Sequence, residues 1–298
     1  MSLSSRAPVA ATLLALSFAI PACSKEKPSA AVAGKETANV STPPAPARAD
    51  VQFGSKIFQH TQAYSQSLGG NALACTNCHL DGGKQVGGLP LLGSSKKYPR
   101  KGSDGRSATL EDRITRCFAH SLNARPPASE SEELKALATY ITWLGEGLPA
   151  GKSPAWLDSN TIAPQNIVPI AQLKAEAGRQ KYVRSCSGCH GLDGQGYAEK
   201  RKGLPYDYVP PVWGARSYDD VSGLARVYTL AGFARHAMPL DQPGGITDRD
   251  VQEIAAFLDG QPRPTFPNKD AWDGTSPVDA VYDTRRYPKN PFLVSLSR

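Results

Sequence analysis

Methionine is nearly missing from this sequence: its 298 residues contain Met1 and Met238 and no other. The stretch between them therefore offers no thioether to any bound group. After Ile20 no apolar run is long enough to cross a bilayer. No basic run exceeds a few residues and no nucleic-acid motif accompanies the formal charge of +7. That argues against a nucleic-acid partner and leaves small anions or an acidic protein as what the charge attracts. From Ser24 to Asp50 large apolar residues are almost absent. Such a segment cannot bury enough surface to offset its ordering entropy, so residues 23–50 are expected to form a flexible tether. With 27 Gly, 25 Pro and 40% hydrophobic residues, the rest suits globular domains with long connections, not a fibre or a membrane bundle.

Residues 1–22 read as an export signal, with Arg6 its only charge and an apolar run from Val9 to Ile20. The segment ends Ile20-Pro21-Ala22-Cys23, which resembles the lipobox of bacterial lipoproteins, although Pro21 is unusual there. In that reading Cys23 becomes a lipidated N-terminus and is the sole membrane attachment. In the other, a plain signal is cleaved and Cys23 remains a thiol. Both predict a periplasmic protein whose folded part begins near Val51.

Six cysteines are present, and four form Cys75-Thr76-Asn77-Cys78-His79 and Cys186-Ser187-Gly188-Cys189-His190. C-x-x-C followed at once by His is the attachment motif of c-type haem. Two intervening residues let both thiols reach the two vinyl groups of one porphyrin, and the next residue puts an imidazole under the iron. His79 and His190 are thus candidate iron ligands. One zinc ion shared by both pairs is the competing use, but such pairs usually lie closer together and the two histidines would have no role. A disulfide within each pair would be a redox motif. Two covalent haems are expected, and outside these motifs and Cys23 one cysteine, Cys117, remains to be explained.

The chain repeats itself. Gly54-Ser55-Lys56-Ile57-Phe58 precedes the first motif and Gly178-Arg179-Gln180-Lys181-Tyr182 the second, and Leu80-Asp81-Gly82-Gly83 is matched by Gly191-Leu192-Asp193-Gly194. Each half closes on a helical pattern with a late aromatic, Trp143 or Phe257, at nearly the same offset. Each unit resembles a class I cytochrome c domain, which implies a mainly α fold: two tandem domains in which first and last helices cross over a haem. Phe53, Phe58, Tyr64, Tyr140, Ile141 and Leu144 are candidate packing partners in the first unit. The domains are placed at 51–155 and 156–265, with a Pro- and Ser-rich link around Gly151 to Gln165. Residues 266–298 form an irregular tail, and the Pro-rich stretch from Gln261 is expected to lie across a domain surface.

The sixth iron ligand distinguishes the halves. In the second, Met238-Pro239 between motif and last helix resembles the thioether loop of class I cytochromes; His236 is a rival, and a core-filling Met a blander reading. In the first, the candidates are His60, Cys117 and His120. Thr109 would cap a helix with Glu111 and Asp112 in its first turn. On that helix Arg113, Cys117 and Ser121 fall four apart on one face, which would set a thiolate, a cation and a hydroxyl toward one haem edge. Alternatively Cys117 is a small buried hydrophobe and His120 the ligand.

The run Glu111-Asp112-Arg113-Ile114, then Cys117-Phe118 and Ser121-Leu122-Asn123, then Tyr140-Ile141-Thr142-Trp143-Leu144, resembles the catalytic domain of dihaem thiosulfate dehydrogenases. Pro210-Pro211-Val212-Trp213-Gly214, Met238-Pro239 and Pro262-Arg263-Pro264 agree in the second half. The resemblance spans about Val51 to Pro267, with a weaker echo at Asn290-Pro291-Phe292. It implies oxidation of two thiosulfates to tetrathionate, sometimes reversed, with Cys117 as distal ligand of the active-site haem, Arg113 binding the anion and Ser121 lining the pocket. A further basic residue is implied among Arg100, Lys101 and Arg106. Electrons would then pass from the Cys-ligated haem to a higher-potential His/Met haem and on to an external acceptor such as a small cytochrome c. Two departures stand out. His120 occupies a place where the family often has Arg, and Ala237 precedes Met238 where some members carry an exchanging Lys, so stable His/Met ligation is expected. The rival functions are a pure electron carrier, a dihaem peroxidase, and a sulfur-oxidation cytochrome using a persulfide on Cys117.

Overall fold

Why the first half folds as it does is visible in helix α1 (Ala49–Gln59). It buries Val51, Gly54, Ser55, Ile57 and Phe58, an i, i+3, i+4, i+7 stripe with one extra member. The computed structural model describes residues 48–65, 70–101, 105, 107–148, 160–199 and 208–266. The export signal, Cys23, Arg106 and nearly all of the tail lie outside these residues. Helix α1 begins at Ala49, two residues before the expected start, with Asp50 in its first turn, where the helix dipole favours an anion.

The chain continues through α2 (Thr61–Ser65), a single turn Cys75–Asn77 holding the first motif, and α3 (Leu80–Gly83). A two-residue ribbon follows, β1 (Arg100–Lys101) antiparallel to β2 (Ser107–Ala108), then α4 (Leu110–His120) and α5 (Glu132–Trp143). The second half repeats the scheme with α6 (Ala175–Ser185), α7 (Ser187–His190), α8 (Val227–Ala237) and α9 (Asp248–Asp259). Among the described residues no helix is long and apolar enough to cross a membrane.

Helix α1 crosses α5, and α6 crosses α9. Both crossings are backbone-close, and both pass through a glycine. A Cβ on Gly54 would lie 2.0 Å from the Ala136 carbonyl oxygen, and one on Gly178 would lie 1.9 Å from that of Glu253. Around the first crossing Phe58 packs on Tyr140 at 5.3 Å between ring centroids, and the Tyr140 hydroxyl donates to the Gly82 carbonyl at 2.7 Å. Around the second, Tyr182 packs on Phe257 and Trp213 at 5.6 and 5.2 Å, and its hydroxyl donates to the Gly191 carbonyl at 2.7 Å. In each half a tyrosine thus ties the helix crossing to the turn just after the haem motif.

Gly54→Ala is expected to destabilise the first half. Alanine gains about 1 kcal/mol of helix propensity, but the new methyl meets a backbone oxygen that cannot turn aside, and overpacking of this kind costs about 1–3 kcal/mol or more. The clash should win. Thermal unfolding of the haem-loaded protein should show Tm lowered by several degrees. Gly223→Ala, where a Cβ would meet nothing within 4 Å, serves as the control.

Toward the end of the proposed link the chain is already packed: Gly232 of α8 abuts the Asn160 carbonyl, and Val168 N–H donates to Gln252 Oε1 at 2.8 Å. The Pro-rich stretch after α9 packs on the second half, where Gly214 N–H donates to the Pro262 carbonyl, and its first residues are buried. Gln261 is 3% exposed and the Arg263 side chain 6%, with the guanidinium 4.4 Å from the Tyr218 ring centroid.

Candidate haem-binding active site

Helix α4 carries the predicted chemistry. Thr109 caps it as expected: its hydroxyl accepts from Asp112 N–H at 3.1 Å while Asp112 accepts from Thr109 N–H at 2.8 Å, a reciprocal capping box. Ile114 and Phe118 are buried, which turns the adjacent stripe of Arg113, Cys117 and Ser121 toward a cleft. Cys75, Cys78 and His79 line the same cleft, whose empty volume is about 860 Å³ with its open mouth included. The walls are otherwise largely apolar, with Phe58, Leu91 and Ile141 among them.

Arg113 Nη1 donates to Cys117 Sγ at 2.8 Å. The neighbouring Cys117 is the main reason the Arg113 guanidinium is held above its ordinary range, and Tyr98 adds to the effect. More than a third of Arg113 is open, yet protein packs densely around its guanidinium; its open surface belongs to the cleft wall.

The two motif histidines are set up alike. The Nδ1–H of His79 donates to the Leu89 carbonyl at 2.6 Å, and that of His190 to the Pro210 carbonyl at 3.0 Å. A carbonyl can only accept, so each ring carries its proton on Nδ1 and presents Nε2 to a metal. Burial lowers the pKa of both, that of His79 to about 4, against the opposing pull of its carbonyl partner. Both rings are therefore neutral, as ligation requires. Leu89 holds its carbonyl there from φ +50°, a left-handed conformation costing a residue with a Cβ about 1–2 kcal/mol. Burial also pushes the thiols of Cys75, Cys78 and Cys186 up to about 12. Among the described residues no three His, Cys, Asp or Glu side chains converge on one point, so the pairs do not share an ion.

Of the three ligand candidates in the first half, only Cys117 lines the cleft. His60 is exposed at the end of α1. His120 turns away to Asp219 in the second half, Nδ1 to Oδ2 3.4 Å, and stacks its edge on Phe266 at 4.4 Å. Asp219 is 4% exposed on its side chain, and His120 supplies it with a donor. In the second half Met238 directly follows α8 and is half-buried, while His236 spends its Nε2–H on the Thr161 carbonyl at 3.0 Å. Arg100 and Lys101 sit exposed on β1, and neither lines the cleft.

Sequence reasoning missed Tyr98 and Ser94, which line the cleft beside Arg113. Tyr98 lies in Lys96-Lys97-Tyr98-Pro99, where only the extended bias before Pro was readable.

Residues 59–150 match the family model described as SoxA/TsdA, cytochrome c domain, and residues 173–258 match cytochrome C oxidase, cbb3-type, subunit III. Among curated relatives, a thiosulfate dehydrogenase of Stutzerimonas stutzeri is 37% identical, over 73% of this chain and 68% of that one. A thiosulfate dehydrogenase of Allochromatium vinosum is 32% identical, over 72% and 78%. The solved structure of thiosulfate dehydrogenase (TsdBA) from Marichromatium purpuratum, as isolated, aligns with a TM-score of 0.67 at 29% identity. It covers 80% of this chain, which spans about half, 54%, of the length of that one.

Proposed function

Since the chain belongs to the thiosulfate dehydrogenase family of oxidoreductases and carries two covalent c-type haems, we propose that it joins two thiosulfates into tetrathionate in the cleft between His79 and α4. Two dianions lose one electron each, their terminal sulfurs form one S–S bond, and no oxygen is gained or lost. The observation that carries this reading is the Arg113–Cys117 contact of 2.8 Å on the wall of the cleft that also holds the first haem motif. Cys75 and Cys78 would attach the first haem, with His79 and Cys117 as the residues to bind its iron; Cys186, Cys189, His190 and Met238 would hold the second. Bound haem supplies one-electron acceptance, at a lower potential with a thiolate than with a thioether.

The chain's own residues do the rest. Arg113 can neutralise the Cys117 thiolate while its remaining N–H groups meet sulfonate oxygens, for which the planar fork is suited. Its charge offsets repulsion between two dianions brought together, an effect strengthened by the apolar walls that exclude water. The Ser121 hydroxyl, on the same stripe, provides a neutral donor. Met238 would offer the second haem a thioether, which raises a haem's potential and would favour passing electrons to an external acceptor such as a small cytochrome c. The protein works in the periplasm, exported by residues 1–22 and held by a lipid on Cys23.

Haem-loaded protein supplied with thiosulfate and ferricyanide should yield one tetrathionate for every two ferricyanides reduced. Haem reduction by thiosulfate without tetrathionate would refute the coupling reaction, and no reaction at all would leave a dihaem electron carrier.

A further inference from the structure

The last turn of α4 ends in a socket built mostly by the second half of the chain. A helix leaves its final carbonyls without partners of its own. Here the His120 carbonyl accepts from Asp219 N–H at 3.1 Å, and the Ser121 carbonyl accepts from Asn71 Nδ2 at 2.9 Å. Asn71 in turn donates to the Ser217 carbonyl at 3.0 Å, which Asn123 Nδ2 also reaches at 2.6 Å. The side chains follow the same direction. His120 Nδ1–H faces Asp219 Oδ2, and the Ser121 hydroxyl lies 3.3 Å from that of Ser222. The loop that provides these groups is itself braced, because Asp219 Oδ1 accepts from Val221 N–H at 2.9 Å. Asp219 and Ser222 are both 3% exposed.

Cys117 stands one turn before this socket, and its carbonyl accepts from Ser121 N–H at 2.9 Å. Any shift of the helix end is therefore passed to the thiolate, to Arg113 bound to it and to Ser121. We infer that Asp219, a residue of the second haem domain, is a positioning residue for the thiolate site of the first, so that the second domain helps build the active site as well as receive electrons. This rests on the proposed placing of the chemistry at Cys117.

The test is Asp219→Ala against Asp219→Asn in the haem-loaded protein, read by electron paramagnetic resonance of the ferric haems and by thiosulfate kinetics. Misplacement of about 1 Å costs a site on the order of 10- to 100-fold. Asp219→Ala should split or broaden the thiolate-ligated signal and raise KM for thiosulfate on the order of 10-fold, leaving the His/Met signal and the two haems per chain unchanged. Asp219→Asn, whose Oδ1 can still accept from Val221 N–H while its Nδ2 donates to the Nδ1 of a His120 ring protonated on Nε2, should keep the wild-type signal and KM. If Asp219→Ala proves too unstable to load haem, His120→Ala removes the same pair from the other side and should give the same change. An unaltered thiolate signal and KM in the alanine variants would overturn the inference. So would equal loss of both haem signals in Asp219→Ala and Asp219→Asn, which would mark a general folding role. The resonance measurement needs no turnover, so a wild type inactive on thiosulfate would remove the proposed reaction and leave this test standing.

Discussion

Cys117→Ala should abolish tetrathionate formation, by about 10³-fold or more, while both haems remain attached. A thousandfold is about 4 kcal/mol of barrier, more than the roughly 2–3 kcal/mol expected from removing one hydrogen-bonding partner of a charged group. The excess is expected because the substitution takes away two things at once. It removes the proposed iron ligand, which would set the potential and spin state of the first haem, and it removes the sulfur that Arg113 Nη1 holds at 2.8 Å. The guanidinium then loses its sulfur partner and keeps Tyr98. Haem attachment should survive, because Cys75, Cys78 and His79 lie on the turn and loop after α2, apart from α4. Mass spectrometry for two haems per chain, beside the ferricyanide assay, checks both halves of this expectation. Retained turnover would place the chemistry elsewhere.

Arg113→Gln should cost about 10²-fold in kcat/KM, in line with loss of one donor aimed at developing charge. The direction is fixed by charge and not by packing, since glutamine keeps much of the side-chain length. Most of the loss should appear in KM if Arg113 chiefly gathers the dianions, and in kcat if it chiefly supports the thiolate. A companion Arg113→Lys variant separates the two: a point charge should recover part of KM, but lysine lacks the fork that can serve thiolate and sulfonate together. Activity equal to wild type in Arg113→Gln would exclude an electrostatic role for this residue.

How much of this was legible in the sequence depended on whether the information was local. The haem motifs, the Thr109 cap and the four-residue spacing of Arg113, Cys117 and Ser121 are short-range patterns, and each has its counterpart in the geometry. Gly54 and Gly178 were visible as a repeat, but their reason was not, since it lies in carbonyls more than seventy residues away at Ala136 and Glu253. Tyr98 enters the cleft from an irregular loop whose course no periodicity records. The same limit explains His120. By composition it was a ligand candidate, and only the fold brings it to Asp219, a partner in the other half of the chain. The depth of the tail's start was not legible for a related reason: Gln261 and Arg263 are polar residues in a Pro-rich stretch, and nothing local foretold their burial beside Tyr218.

The most direct measurement of the central claim is low-temperature electron paramagnetic resonance of the fully oxidised wild-type protein. The account predicts two distinct low-spin ferric haems, one with the compact rhombic signal of thiolate ligation, absent in Cys117→Ala, and one with the widely spread signal of His/Met ligation. Two signals of the His/Met or bis-His kind, unchanged in Cys117→Ala, would contradict it.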